Sequence, residues 1–277
     1  MDEAIITIYV VCDEVLRVLG FEDDGQAVMS TAEVMTFSII AGQLCGGNHR
    51  LARWFCKHAR YFPKILSESR LNRRLHRIPW HIWMAIFRFL ALVFKETNTN
   101  KEFAVDSFPV ACCEKQRIDR RKFLEGKGYI GYSASKHRYF CGVKVHMIVT
   151  AQGKPVEFVI KPASKSDLGV LWGMELDLPE GSQLYADGAY NSYDLEDLLI
   201  EESQIQLLAK RKQPNSRRAR SREQERLISS RRQIVETAFS CITRLLPRSI
   251  QASTERGFLL RIVSAVLAYS IGCLSHN

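Results

Sequence analysis

Three acidic side chains stand where acids are unusual. Asp106 lies inside an apolar stretch, FAVDSFPV (103–110), and Asp187 ends another, LYADGAY (184–190), where Gly188 lets the chain turn sharply. Glu236 lies in RRQIVETAFS (231–240), directly after the most basic run of the chain. A carboxylate within an apolar strand is costly unless it is paired or bound to a metal. At a strand end it suits a hard divalent cation, since Mg2+ takes one or two carboxylates and keeps waters for substrate phosphates. Each acid alone has a plainer explanation, Asp187 as a turn residue and Glu236 as the i,i+4 partner of Arg232. Together, on a basic chain, they point to metal-assisted phosphate chemistry.

The charge balance agrees. The 277 residues carry a formal net charge of +9, and the pI is near 9.2. Such a chain favours an acidic partner, nucleic acid before an anionic membrane. Ten basic residues fall between 210 and 232. The N-terminus begins acidic, MDEAIITIYVVC, and does not read as a signal peptide. No window holds the ~20 uncharged apolar residues of a membrane span. The nearest, FLLRIVSAVLAYSIGCL (258–274), contains Arg261 and reads as a buried helix packed on its own sheet. Eight scattered cysteines without a CxxC pair read as reduced thiols of a cytosolic protein. A zinc site from Cys112, Cys113, Cys141 and His137 is the alternative.

The elements that must position the acids follow from periodicity. Residues 1–100 read as helical. TAEVMTFSIIAGQL is expected to be capped by Thr31, and NHRLARWFCKHARYF and WHIWMAIFRFLALVFKE are further helices. Between the last two lies SESRLNRRLHRIP, with Arg70, Arg73, Arg74 and Arg77. A small DNA-binding bundle of helix-turn-helix type is expected, with a solvated basic face as the equal alternative. TNTNK (97–101) marks a boundary, so the expected domains are 1–100 and 101–277.

Beyond it, EFAVDSFPVACC, YFCGVKVHMIVT and GKPVEFVIKPA read as an antiparallel meander of three strands. Helical and strand patterns then alternate. NSYDLEDLLIEES is a helix capped by Asn191 or Ser192, and everything from about 221 to 274 is helical. The order β-β-β-α-β-α-β-α-α gives an α/β fold with a mixed sheet and helices on its faces, preceded by a small all-α domain. RKQPNSRRARSREQER (211–226) is low in apolar content and is expected to need a partner for order.

The three acids in VDSFPV, ADGAYNS and RRQIVETAFS resemble the acid triad of DDE transposases encoded by bacterial insertion sequences. The resemblance extends through YFCGVKVHMIVTAQGKPVEFVIKPASKSD and upstream to YFPKILSESRLNRRLHRI, which covers most of the chain. In a related branch the third acid lies in a Tyr–x2–Arg–x3–Glu–x6–Lys pattern. Arg232 and Glu236 match it, but Ser229 and Thr243 stand at the tyrosine and lysine places, with Arg244 adjacent.

The resemblance implies an RNase H-like catalytic domain, with Asp106, Asp187 and Glu236 as catalytic residues holding two Mg2+ ions, for which Mn2+ can substitute. Asp106 would be shared between the ions. The implied partners are double-stranded DNA at transposon ends and target, and a second copy of the chain in a dimer or larger assembly. The implied place is the bacterial cytoplasm, at the nucleoid. Phosphate contacts are expected from Arg232, Lys144, Lys210, Arg211, Lys212, Arg217, Arg218, Arg220, Arg73 and Arg74. Lys144 and His146 share one face of their strand; His146 and Tyr190 are read mainly as packed residues, and Asp167 as a helix cap. The rival functions are a nuclease of the same fold without strand transfer, and a catalytically silent DNA-binding protein.

Overall fold

In the computed structural model the described residues are 2–114, 123–133, 137–211 and 217–274. They divide into two compact units, residues 1–90 with 241–277, and residues 91–240.

The first unit is helical. It contains α1 (Asp2–Val18), α2 (Thr31–Cys45), α3 (His49–His58), α4 (Glu68–Arg77), the start of α5 (Trp80–Thr97) and α9 (Glu255–Gly272). The cap of helix α2 is Ser30, one residue before the expected Thr31, which is the first helical residue. Ser30 accepts from the Glu33 amide at 3.1 Å while the Glu33 carboxylate accepts from the Ser30 amide at 2.7 Å. This reciprocal capping box satisfies two amides that would otherwise lack partners. Both α2 and α9 are buried almost all round, so each needs cover on several sides.

They cover each other. Gly42 lets the backbones approach, since a Cβ there would meet the Ala268 Cβ at 3.4 Å and the Ser264 carbonyl at 3.5 Å. Ser38 and Ser264 share a hydrogen bond of 2.8 Å in the same seam. The C-terminal helix therefore packs among the N-terminal helices and belongs to their compact unit, so the partition is not the expected single cut at residue 100. The physical reason is that an apolar stripe names no partner; the small residues at 38, 42, 264 and 268 decide it.

The second unit is built on a mixed sheet of β1 (Glu102–Glu114), β2 (Ile130–Ser133), β3 (Arg138–Thr150), β4 (Pro155–Pro162), β5 (Gln183–Ala186) and β6 (Gln206–Ala209). Helices α6 (Asp167–Trp172), α7 (Tyr193–Ser203) and α8 (Arg222–Leu245) follow β4, β5 and β6 in the chain, α8 running on past Ser240. Across the sheet the order is β4–β3–β1–β5–β6, with β2 beside the first part of β3 on the same edge as β4. The expected meander is present. Strand β2 was not expected, because IGYS is short, polar at one end and opened by a glycine-containing 3-10 turn. Strand β3 is buried on both faces, so its alternation marks no solvent side, and His146 is buried with the rest.

Strand β1 is pinned where its register with β3 shifts, between Ala111 and Cys113. Opposite stands Gly142, where a Cβ would lie 2.1 Å from the Val110 carbonyl oxygen. Gly142→Ala is therefore expected to lower stability by about 3 kcal/mol, in the range of steric faults in a packed sheet. An unchanged denaturant midpoint would show that β1 is not held there.

His49, the first residue of α3, is 8% exposed and packs edge-on to Phe37 at 5.4 Å. Burial, and then the positive charge of Arg261, push it from 6.5 down to about 3. The unfolded chain takes up this proton below about pH 6.5 and the fold does not. Stability is thus lost on acidification by about 1.4 kcal/mol per pH unit until the folded value is reached. His49→Gln should flatten the stability-against-pH curve between pH 6 and 4 by one proton equivalent, read from urea titrations.

Candidate active site

Sheet register brings the first two acids together. Strands β1 and β5 run parallel, with Val105 opposite Ala186 as their last pair. Asp106 and Asp187 are the next residue on each strand. They lie side by side where the parallel pairing ends, Asp187 just past the carboxyl end of β5 and Asp106 within β1, which runs on to Glu114.

Helix α8 supplies the third. Asp106 and Phe108 point to the same face of β1 by the strand period of two. On α8, Arg232, Glu236 and Phe239 fall on one face at i, i+4 and i+7. The Phe108 and Phe239 rings meet at 4.6 Å, which sets Arg232 and Glu236 against Asp106. Val235, Ala238 and Ile242 bury the adjoining side of the helix.

The three carboxylates converge on one guanidinium. Arg232 Nη2 lies 2.9 Å from Asp106 Oδ2 and 3.5 Å from Glu236 Oε1, and its Nη1 lies 3.5 Å from Asp187 Oδ1. Asp106 is the most enclosed acid, 20% exposed against 44% for Asp187 and 59% for Glu236. Burial pushes the Asp106 carboxyl above the usual aspartate value. The Ser107 amide, donating to Oδ1 at 2.8 Å, and Arg232 pull it back, while Asp187 pushes it up.

This triad fits a hard divalent cation in donor chemistry: three carboxylates face one guanidinium, leaving negative charge uncompensated in a partly enclosed site. Among the described residues no three histidine, cysteine or acidic side chains form a ready-made metal cluster. The guanidinium lies among the carboxylates.

A scan of protein-family models matches residues 96–249 to the family described as the transposase DDE domain, over half of the chain. The chain belongs to the DDE transposase family. No curated protein and no solved structure matches it. The mixed sheet with its helices is consistent with the RNase H-like domain of a DDE transposase. Among the described residues no single helix is long and apolar enough to cross a membrane.

Behind the three carboxylates lies a polar group that sequence reasoning undervalued. The cap of α6 is Ser166, whose hydroxyl accepts from the Gly169 amide at 3.2 Å. Asp167 is instead the first helical residue. Its Oδ1 accepts from the Ser107 hydroxyl at 2.7 Å and from Lys144 Nζ at 3.1 Å, and lies 3.7 Å from His146 Nδ1. Ser107 thus ties Asp167 through its hydroxyl to Asp106 through its amide. Among the described residues neither His146 nitrogen has a hydrogen-bond partner, and burial lowers its pKa to about 4, so it is neutral at pH 7. The Tyr190 hydroxyl is buried beside Ser107. Burial first, then Asp167 and Asp106, raise its pKa. The clue to Asp167 was a second acid beside a lysine and histidine sharing one strand face.

The residues expected at DNA phosphates divide. Arg211 is turned inward: it grips Glu196 with contacts of 2.6 and 3.0 Å, donates to Asn191 Oδ1 at 3.0 Å and lies over the Tyr193 ring. Both partners are 5% exposed, so this charge serves the fold and is not offered to DNA. Arg218 pairs with Asp197 at 2.7 Å and Glu196 at 3.4 Å, and Arg220 donates to the Ala209 carbonyl. The acids of α7 neutralise arginines that sequence alone left free. Lys144 is held by Asp167, and Arg74 by Asp23 at 3.0 Å and the Met29 carbonyl at 3.0 Å. Lys210, Arg217 and Arg73 are exposed. Lys212 lies outside the described residues. The alternative zinc set has no support: among the described residues no such cluster exists.

If Arg232 balances the triad, Arg232→Gln should destabilise the metal-free protein by about 1–3 kcal/mol, after allowance for the exposure of Glu236 and Asp187. Added Mn2+ should raise the melting temperature of the variant more than that of the parent chain. Equal shifts in the two proteins would remove the guanidinium from that role.

Proposed function

We propose that this DDE transposase cuts phosphodiesters at transposon ends and transfers the resulting 3′-hydroxyls to target DNA, with Asp106, Asp187 and Glu236 as its catalytic carboxylates. The observation that supports this reading is the meeting of the three acids on the Arg232 guanidinium, from the interior of β1, the end of β5 and one helix. No simple structural role requires acids from such distant parts of the chain to share one cation.

Asp106, Asp187 and Glu236 would hold two divalent ions, Mg2+ or Mn2+, which when bound activate the attacking oxygen and stabilise the leaving one. The protein's own part is positional. Asp106 is fixed by the Ser107 amide and by a strand paired on both sides, so its carboxylate keeps one direction. Glu236 rides on a helix whose buried side is continuous. Arg232, once relieved of the acids, is placed to hold a phosphate oxygen of the strand being cut, where a guanidinium binds in a bidentate manner. Lys210, Arg217 and Arg73 are the exposed cations from which further backbone contacts are expected, together with Lys212 in the same basic run. Two transposon ends must be joined in one reaction, so the active form is a dimer or larger assembly on DNA, in the bacterial cytoplasm at the nucleoid.

The test uses a labelled transposon-end duplex and a plasmid target. The parent chain is expected to give Mg2+-dependent cleavage and a joined product. Asp106→Asn, Asp187→Asn and Glu236→Gln should each lower cleavage by at least about a hundredfold while leaving DNA affinity within about threefold, because removing a catalytic electrostatic group costs on the order of 10²–10³. Cleavage without joining would reduce the protein to a nuclease; undiminished cleavage in Asp106→Asn would remove the site.

A further inference from the structure

In the helical unit, Arg261 has no carboxylate at ion-pair distance among the described residues, though Glu68 acts on it from further away. Arg261, on α9, donates one hydrogen bond, from Nη1 to the Gly47 carbonyl at 2.8 Å beyond the end of α2. It forms no ion pair among the described residues. Burial lowers its pKa to about 10, against an opposing pull from Glu68. A guanidinium in that setting is expensive unless an anion meets it.

Arg261 borders a cavity of about 150 Å3, which also takes in His49, His76, Asn72, Thr254 and Gly257. No carboxylate lines it. His49 is buried, and its Nδ1 has no hydrogen-bond partner. His76 sits at the first turn of α9, since a Cβ on Gly257 would lie 3.2 Å from its Nε2. Its pKa is lowered by burial, then by Arg256 and Arg261. The walls therefore combine a fixed cation, two imidazoles whose pKa values are lowered first by burial and then by neighbouring arginines, and the N-terminal end of an 18-residue helix, whose backbone dipole favours negative charge. Arg261, Asn72 and Gln251 bring N–H donors to this wall, and no carboxylate on it repels an anion.

We propose that this cavity is a binding site for a phosphate-class oxyanion, held by Arg261 with His49, His76 and the N-terminal end of α9. The oxyanion is either free phosphate or a phosphodiester of bound DNA. The site lies in the helical unit, separate from the carboxylate triad, and does not depend on the reaction proposed for that triad. When it fills, both imidazoles can take up a proton and donate to the anion.

The experiment follows melting temperature of the full chain against inorganic phosphate, at constant ionic strength set with chloride. A saturable rise is expected in the parent protein, with an apparent affinity at least tenfold weaker in Arg261→Gln. Because Arg261 also holds the Gly47 carbonyl, His76→Gln provides an independent arm, expected to weaken binding about threefold with the arginine intact. A transposon-end duplex separates the sources. If Arg261→Gln and His76→Gln lower duplex affinity, and Arg261→Gln lowers the slope of log affinity against log salt by about one, the ligand is a DNA phosphate. If duplex binding is unchanged while the phosphate response is lost, the ligand is a free oxyanion. A phosphate response identical in all three proteins, which is what a general salting effect produces, together with unchanged duplex binding, overturns the site.

Discussion

One guanidinium among three carboxylates is the constraint on which the sheet-bearing unit depends. Asp106, Asp187 and Glu236 would repel one another if brought together bare, and the most buried of them has its pKa raised, by burial first and by Asp187 in a lesser part. Arg232 offsets that repulsion, with contacts of 2.9 to 3.5 Å to all three. The same contact sets the limits of the resting site. An arginine that neutralises the acids also occupies the space between them, so the arrangement that lets the fold assemble is not yet one in which metal can be caged.

The rest of the unit serves to bring that cation and those acids to one point. Parallel pairing that ends at Val105 and Ala186 leaves the two aspartates adjacent, with no help from their own side chains. The Phe108–Phe239 contact fixes the rotation of α8, and through it both Arg232 and Glu236. A one-residue slip of β1 would turn Asp106 to the other face. There it would meet the chemistry of Ser107, Lys144, His146 and Asp167, a face organised around a different carboxylate. Two polar systems therefore sit back to back across one strand, and Ser107 is the residue that joins them.

Much of this was legible before any coordinates. The acids at 106, 187 and 236 stood out because each broke its local pattern, and long apolar runs gave away β1, β3 and β4. What escaped was set by tertiary pairing. Strand β2 has only four residues and carries no periodicity to read. Asp167 looked like a cap because it begins a helix, and only the fold reveals a serine from β1 and a lysine from β3 beside it. The position of α9 could not be read from an all-round apolar helix, which accepts any apolar partner; it needed the small-residue seam with α2.

The basic run teaches the sharpest lesson about charge. A net charge of +9 looks like a surface prepared for a polyanion, yet charge in sequence is not charge in solvent. Arg211 and Arg218 are tied to Glu196 and Asp197, whose helix begins some twenty residues earlier. A buried pair such as Arg211–Glu196 adds little net stability against a well-packed apolar alternative, but losing one partner leaves the other stranded. Arg211→Gln is thus a poor probe of DNA contact, because Glu196 would be left buried without its counter-charge and the loss would be one of folding. Arginines that the fold leaves unmatched are the better guide to a phosphate. By that criterion the cationic cavity around Arg261 carries more information than several charges of the run that first drew attention.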